Sequence, residues 1–207
     1  MVKTMPNNAK DDPQTQGLRE RKKAKAMAAI QEHALRLFAK QGYAATTVEQ
    51  IAEAAEVSPS TFFRYFKTKE AVVLYDSLDP LIMEAFRAQP AELMVIQALR
   101  AAIKTVFTAV PPKRLALEMR RHELARTVPE LKTSMLDEMM RNIDMLAVMI
   151  AGRTGSNPDD LGVRNLAGAI IGVGMAALLQ AYKQPKETDS IGRFDAALGR
   201  LEQGLSL

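Results

Sequence analysis

Between Gly42 and Gly152 the chain contains no glycine, and its breaks fall instead at prolines and at capping residues. Ala, Leu, Met, Glu, Lys and Arg are abundant, a mix that favours helix. No stretch alternates with the two-residue period of a strand, and no internal repeat is present. The 207 residues are 47% apolar, enough for a sizeable core. The expectation is an all-α protein with long helices and little punctuation.

The first third carries the breaks that can be placed most sharply. Met27, Ile30, Ala34, Leu37 and Phe38 recur at spacings of three and four, predicting a first helix from about Leu18 to Gln41 with Gly42 as its stop. Thr46 with Glu49, or Thr47 with Gln50, has capping-box spacing ahead of a short helix bearing Val48, Ile51, Ala52 and Ala55. A break at Glu56-Val57 is followed by Ser58, a good N-cap, and Pro59, suited to a first helical position. A third helix then runs to about Tyr65, and Thr68 caps a fourth with Glu70 in its first turn. Helix, short helix, tight turn, short helix is the helix-turn-helix pattern.

Phe62, Phe63, Tyr65 and Phe66 crowd this third helix in a chain only 5% aromatic, beside Arg64, Lys67 and Lys69. Residues three and four apart share a face, so Val57, Phe62 and Phe66 are expected to be buried. Ser58, Ser60, Thr61, Phe63, Arg64 and Tyr65 are left for an outer face that can enter a major groove. Hydroxyls and bases at helix ends hold phosphates, and Arg64 can read guanine through two hydrogen bonds. The charge agrees. Residues 1–75 hold 12 Lys/Arg against 8 Asp/Glu, while residues 76–207 hold 16 of each, so the whole excess of +4 lies in the first third. Arg19, Arg21, Lys22, Lys23 and Lys25 precede the first apolar face and either reach phosphates or form a solvated helix start.

The stretch ALRLFAKQGYAATTVEQIAEAAEVSPSTFFRYFKTKEAVV, within residues from about Glu20 to Leu74, resembles the DNA-binding domain of tetracycline-repressor (TetR) family regulators. The resemblance implies a homodimer placing two recognition helices in successive major grooves of a palindromic operator. Thr47, Ser58, Thr61, Tyr65 and Lys69 fall where the family contacts phosphates, and Ser60, Phe63 and Arg64 where it meets bases or sugars. Two departures stand out. Glu56 occupies a turn position that is often glycine, and Phe63 one that is often tyrosine.

Beyond residue 75, Asp79-Pro80 is expected to break or kink the fourth helix, with Asp79 capping its second half. Further helices are predicted at about 92–109, 113–126, 130–151, 158–183 and 188–205, separated by Pro90, Pro111-Pro112, Pro129 and the loop around Gly152 to Pro158. Eight of the 12 methionines lie from Met83 to Met149. Methionine fills irregular apolar space, so Met83, Phe86, Phe107, Met119 and Met139 are either core or the lining of a pocket for a small hydrophobic effector. Arg120, Arg121, His122 and Arg126 form either a solvated helix face or a basic rim for the head group of such a ligand. The family resemblance implies a ligand whose binding alters the spacing of the two heads. The whole chain also resembles a branch that senses acyl-coenzyme-A-like molecules. Gly168, Gly172, Gly174, Met175 and Ala176 with Phe194, Ala197, Leu198, Leu201 and Leu205 are read as the dimer interface, a four-helix bundle between subunits.

Other classes fare worse. There is no cysteine, hence no disulfide and no thiolate metal site or nucleophile, which fits a reducing cytoplasm. His33 and His122 are the only histidines, and no zinc, phosphate-loop or nucleophile motif occurs, so neither enzyme, metal nor cofactor is expected. Residues 1–17 are polar, lack the apolar stretch of a signal peptide, and read as a disordered tail before a head at 18–75 and a body at 76–207. The longest near-apolar run, Leu166 to Ala181, is shorter than the about 20 residues of a membrane span. The expected function is a ligand-responsive DNA-binding transcriptional repressor. A transcriptional activator of the same fold and a helical interaction module without specific DNA binding are the alternatives.

Overall fold

The computed structural model describes residues 13–183 and 190–205. They form helices and no strand, in two compact units, one ending at Tyr75 and one starting at Asp76.

The first unit contains α1 (Pro13–Gln41), α2 (Val48–Ala54), α3 (Pro59–Tyr65) and α4 (Lys69–Leu74). Helix α1 starts earlier than its apolar face suggests, so residues 13–17 of the expected tail are helical; residues 1–12 lie outside the described residues. Met27, Ile30, Ala34, Leu35 and Phe38 are buried, with Leu35 taking the place expected of Leu37, which is half-buried. Gly42 ends α1 at φ +87, where only glycine is free of strain. Phe62 is fully buried, and the Phe66 ring lies 6.1 Å from Phe62 and 5.7 Å from Tyr75. Ile51, Val72 and Val73 complete this core. Gln31 is its one buried amide among the described residues, and its Nε2 donates to the oxygens of Val72 (2.9 Å) and Tyr75 (2.7 Å). Those two bonds satisfy carbonyls at the end of α4 that the helix itself leaves open.

The second unit contains α5 (Asp79–Arg87), α6 (Val95–Ala109), α7 (Pro112–Thr127), α8 (Pro129–Thr154), α9 (Leu161–Lys183) and α10 (Ser190–Glu202). The expected break comes before Asp79-Pro80: α4 ends at Leu74 and α5 begins at Asp79. Asp79 does not cap it. Leu78 holds the N-cap position without a side-chain bond, and Asp79 sits inside the first turn. Leu78 is buried, and packing rather than capping chemistry decides this start. Phe86, Leu99, Ile103, Leu146, Ile150, Ala167, Ile170 and Leu198 form one core drawn from α5, α6, α8, α9 and α10. Arg153 donates to the oxygens of Gln89 and Leu93, closing the turn after α5. Arg100 of α6 grips Asp195 with two bonds of 2.8 Å and Glu202 with one of 3.0 Å, fastening α10. Gly155 ends α8 in the left-handed region at φ 68.

One stretch reads differently in the fold. Leu161–Gln180 of α9 is long and apolar enough to cross a membrane, by length and composition, because the apolar segment starts at Leu161 rather than Leu166. Only 28% of it is buried within the chain.

Candidate nucleic-acid interface

Local chemistry builds the outer edge of the head. Thr47 and Gln50 form a reciprocal capping box: Gln50 N donates to Thr47 Oγ1 (3.3 Å) and Thr47 N to Gln50 Oε1 (3.0 Å). Of the two spacings the sequence allowed, this is the one used. Thr46 is buried and donates to the Gly42 oxygen instead. The chain leaves α2 through Glu56 at φ 55, the left-handed turn residue expected from its place. Ser58 then caps α3, accepting from Thr61 N at 3.1 Å, while its hydroxyl also meets those of Ser60 (2.9 Å) and Thr61 (3.0 Å).

Helix α3 divides sharply. Phe62 is sealed on the inside with its ring edge-on to Phe63, and Phe66 lies buried just past the helix end. Val57 is half-buried. On the outside, Ser58, Ser60, Arg64 and Lys67 are exposed, as is Phe63 at 49%, and Thr61 and Tyr65 are half-buried. Arg64 stacks over the Tyr65 ring at 4.9 Å, which holds its guanidinium near the end of α3. Thr47 is exposed at the start of α2, and Arg19 and Arg21 are exposed on α1. Helix α3 and its end therefore present hydroxyls, two bases and an open aromatic ring, backed by fully buried phenylalanine. That is the composition of a surface that reads a duplex.

Lys69 is turned the other way. Its Nζ donates to the oxygens of Tyr43 (2.8 Å) and Thr46 (3.0 Å) and lies 4.2 Å from the Tyr43 ring centre. The Tyr43 hydroxyl in turn donates to Glu70 at 2.9 Å. Burial pushes the Glu70 carboxyl up, but hydrogen bonds from its backbone, Thr68 and Tyr43 and the Lys69 charge outweigh it and hold the group below the usual range.

Residues 30–75 match bacterial regulatory proteins of the tetR family, and residues 93–206 match the MftR C-terminal domain. The chain belongs to the TetR family. It is 37% identical over 160 residues to the HTH-type transcriptional regulator TcmR of Streptomyces glaucescens, covering 74% of this chain and 71% of that protein. It is 30% identical over 149 residues to EthR of Mycolicibacterium smegmatis, covering 68% and 67%. Among solved structures, Thermus thermophilus FadR, a repressor in complex with lauroyl-CoA, aligns with TM-score 0.54 at 21% identity, over 87% of this chain and 95% of that one. This TetR-family protein is thus a DNA-binding transcriptional regulator of all-α fold.

In the body, the residues proposed from sequence for an effector fall into separate groups. Phe86 is sealed in the core beneath the Arg153 guanidinium, 5.4 Å from its ring centre, and Met83 and Phe107 pack against that same core. Met139 is half-buried on α8, whereas Met119 and Arg120 are exposed on α7. The basic run 120–122 does not form one rim. Successive helical residues point about 100° apart, so Arg120 faces out while Arg121 is only 4% exposed. Arg121 binds Asp76 and Glu118, each at 2.5 Å, and lies 3.1 Å from His122 Nε2. This buried polar cluster was invisible in sequence, although Glu118 and Arg121 do stand three apart on one helix.

The residues expected at a dimer interface also separate. Phe194, Leu198 and Leu201 of α10 pack into the chain's own core, and Leu198 is completely buried, so it lies beneath any interface rather than in it. Gly174 faces the Phe194 ring. Gly168 and Gly172 have open space above them, and Met175 is half-buried.

Proposed function

We propose that the protein acts in the cytoplasm as a homodimeric repressor that leaves a palindromic operator when a small hydrophobic effector binds its body. The observation that carries the reading is α3 itself: Ser60, Phe63 and Arg64 stand open on one side while Phe62 anchors the other with no exposed surface. A helix clamped in this way can present its side chains to base edges without moving.

The dimer rests on α9. Leu161, Gly172 and Leu179 are exposed along a helix of whose apolar stretch only 28% is buried in one copy of the chain. A second copy supplies the missing cover, with the glycines letting two helices approach closely, and a two-fold protein suits a two-fold site. The effector class follows the FadR neighbour with its lauroyl-CoA and the apolar surroundings of Met83 and Phe107. The body is a binding module, not a catalytic one.

The test is selection of duplexes from a random pool, followed by footprinting. The reading expects a two-fold symmetric footprint and affinity that falls steeply with salt. Arg64→Ala should relax base preference at one position per half-site by about 1–3 kcal/mol. Equal binding to every duplex sinks the specific-regulator reading. For the dimer, Gly172→Arg should shift the sedimenting species to the monomer.

A further inference from the structure

The body opens with a charged cluster that neither DNA reading nor an apolar pocket requires. Asp76 lies ahead of α5, Asp79 in its first turn, Glu118, Arg121 and His122 on α7, and Glu138 on α8. Asp76, Glu118 and His122 each bring one donor atom to within 4.8 Å of the others. The cation among them is the Arg121 guanidinium, so they cage a side chain and are not metal ligands. His122 Nε2 accepts from that guanidinium, which requires the imidazole to be neutral.

The cluster holds a short chain segment. Leu78 N donates to Asp76 Oδ1 (2.8 Å), and Ser77 Oγ donates to Glu118 (2.6 Å). Arg114 of α7 donates to the Ser77 oxygen (2.8 Å) and meets its hydroxyl (3.0 Å). Residues 76–78 are thus latched to α7 through Arg114, Glu118 and Arg121.

Charge does not balance within the latch. Asp79 faces three further carboxylates, Asp76, Glu138 and Glu118, and Arg121 is the cation that offsets them. Arg121 is buried and already shared between Asp76 and Glu118. A fourth negative charge there repels Asp76 and competes with it for the same guanidinium.

We propose that this cluster is a proton-operated latch: with a proton on Asp79 the segment 76–78 is held against α7, and when that proton leaves the segment is released. No new bond is made; the proton passes to solvent and one carboxylate is left behind. Burial and the Asp76 charge push the Asp79 carboxyl up to about 7, so the latch works near neutrality. The inference concerns the body alone and stands whether or not the operator reading does.

Chymotrypsin reports the segment directly, since the bonds after Tyr75 and after Leu78 are its two ends. The ionised fraction of a group titrating near 7 changes about tenfold between pH 6 and pH 8. Cleavage of the full chain at these residues should therefore rise roughly tenfold more over that interval than in Asp79→Asn, which copies the protonated form. The ratio to the variant removes the protease's own pH dependence. Equal pH ratios in the two proteins overturn the latch. If Asp79→Asn does not fold, a ¹³C carboxyl titration of the unaltered chain decides: a midpoint near 7 supports it, and one near the ordinary aspartate value overturns it.

Discussion

The ammonium of Lys69 donates to the main-chain oxygen of Tyr43 at 2.8 Å, across 26 residues of sequence. With its second bond to Thr46, it pins the α1–α2 connection to the start of α4. A residue that family position assigns to phosphate contact is engaged inside the domain.

Lys69→Ala is therefore expected to cost stability. Two charge-assisted bonds at a half-buried site, less solvent screening, amount to about 1–2 kcal/mol. Lys69→Met keeps the stem packed and isolates the ammonium. Both variants should melt at lower temperature than the parent, with the alanine lower. Unchanged melting would return Lys69 to the duplex-facing surface.

Glu56 carries a side chain where φ is 55. Left-handed backbone costs an ordinary L-residue about 1–2 kcal/mol, partly offset in glycine by its greater unfolded-state entropy. Glu56→Gly should stabilise the head by about 1 kcal/mol, read as a higher denaturant midpoint at unchanged slope. A lower midpoint would show that the turn gains more from the side chain than it loses in strain.

Such features were legible because they are local. Thr47, Ser58 and Thr68 each bond a backbone amide three residues on, and that spacing can be seen in the chain. Phe62 and Phe66 followed from helical period. What period could not show was which way Arg121 turns, because its Asp76 partner is 45 residues away. The same holds for Leu198. An apolar stripe on α10 marks a face that must be covered, but not whether α6, α9 or a second copy covers it; here the chain's own core does. Asp79 failed as a cap because burial of Leu78 sets the helix start.

A Cβ at Gly174 would lie 2.5 Å from Cε2 of Phe194, so α9 and α10 meet through that glycine. Gly174→Ala gains helix propensity of about 1 kcal/mol but must displace the ring, and overpacking of this kind costs about 1–3 kcal/mol. The net expectation is a modest loss of stability, recovered when Phe194→Leu is added. A double-mutant cycle checks it: additive effects would mean the two residues do not touch.

The strongest pH signature comes from two groups that oppose each other. Folding raises Asp79 from 3.8 to about 7, chiefly by burial and then by the Asp76 charge. Folding lowers His122 from 6.5 to about 4, by burial and then by the Arg121 charge. A raised carboxyl gives stability that is present at low pH and lost as pH rises through the folded value. A depressed imidazole makes the unfolded chain bind more protons between about 4 and 6.5, so its contribution runs the other way, and stability rises with pH there. Between those limits the folded protein holds its proton on Asp79 and the unfolded chain holds it on His122, and the two slopes cancel. The parent should therefore show little dependence from this pair below about pH 6.5, then a fall in stability as Asp79 ionises near 7. Removing either group exposes the other. Asp79→Asn should leave stability rising with pH up to about 6.5, and His122→Gln should leave it falling from about 4 through 7, each with a slope of at most about 1.4 kcal/mol per pH unit. Urea unfolding at half-unit pH steps measures both, and two variants with slopes of the same sign would show that Asp79 and His122 do not exchange a proton on folding.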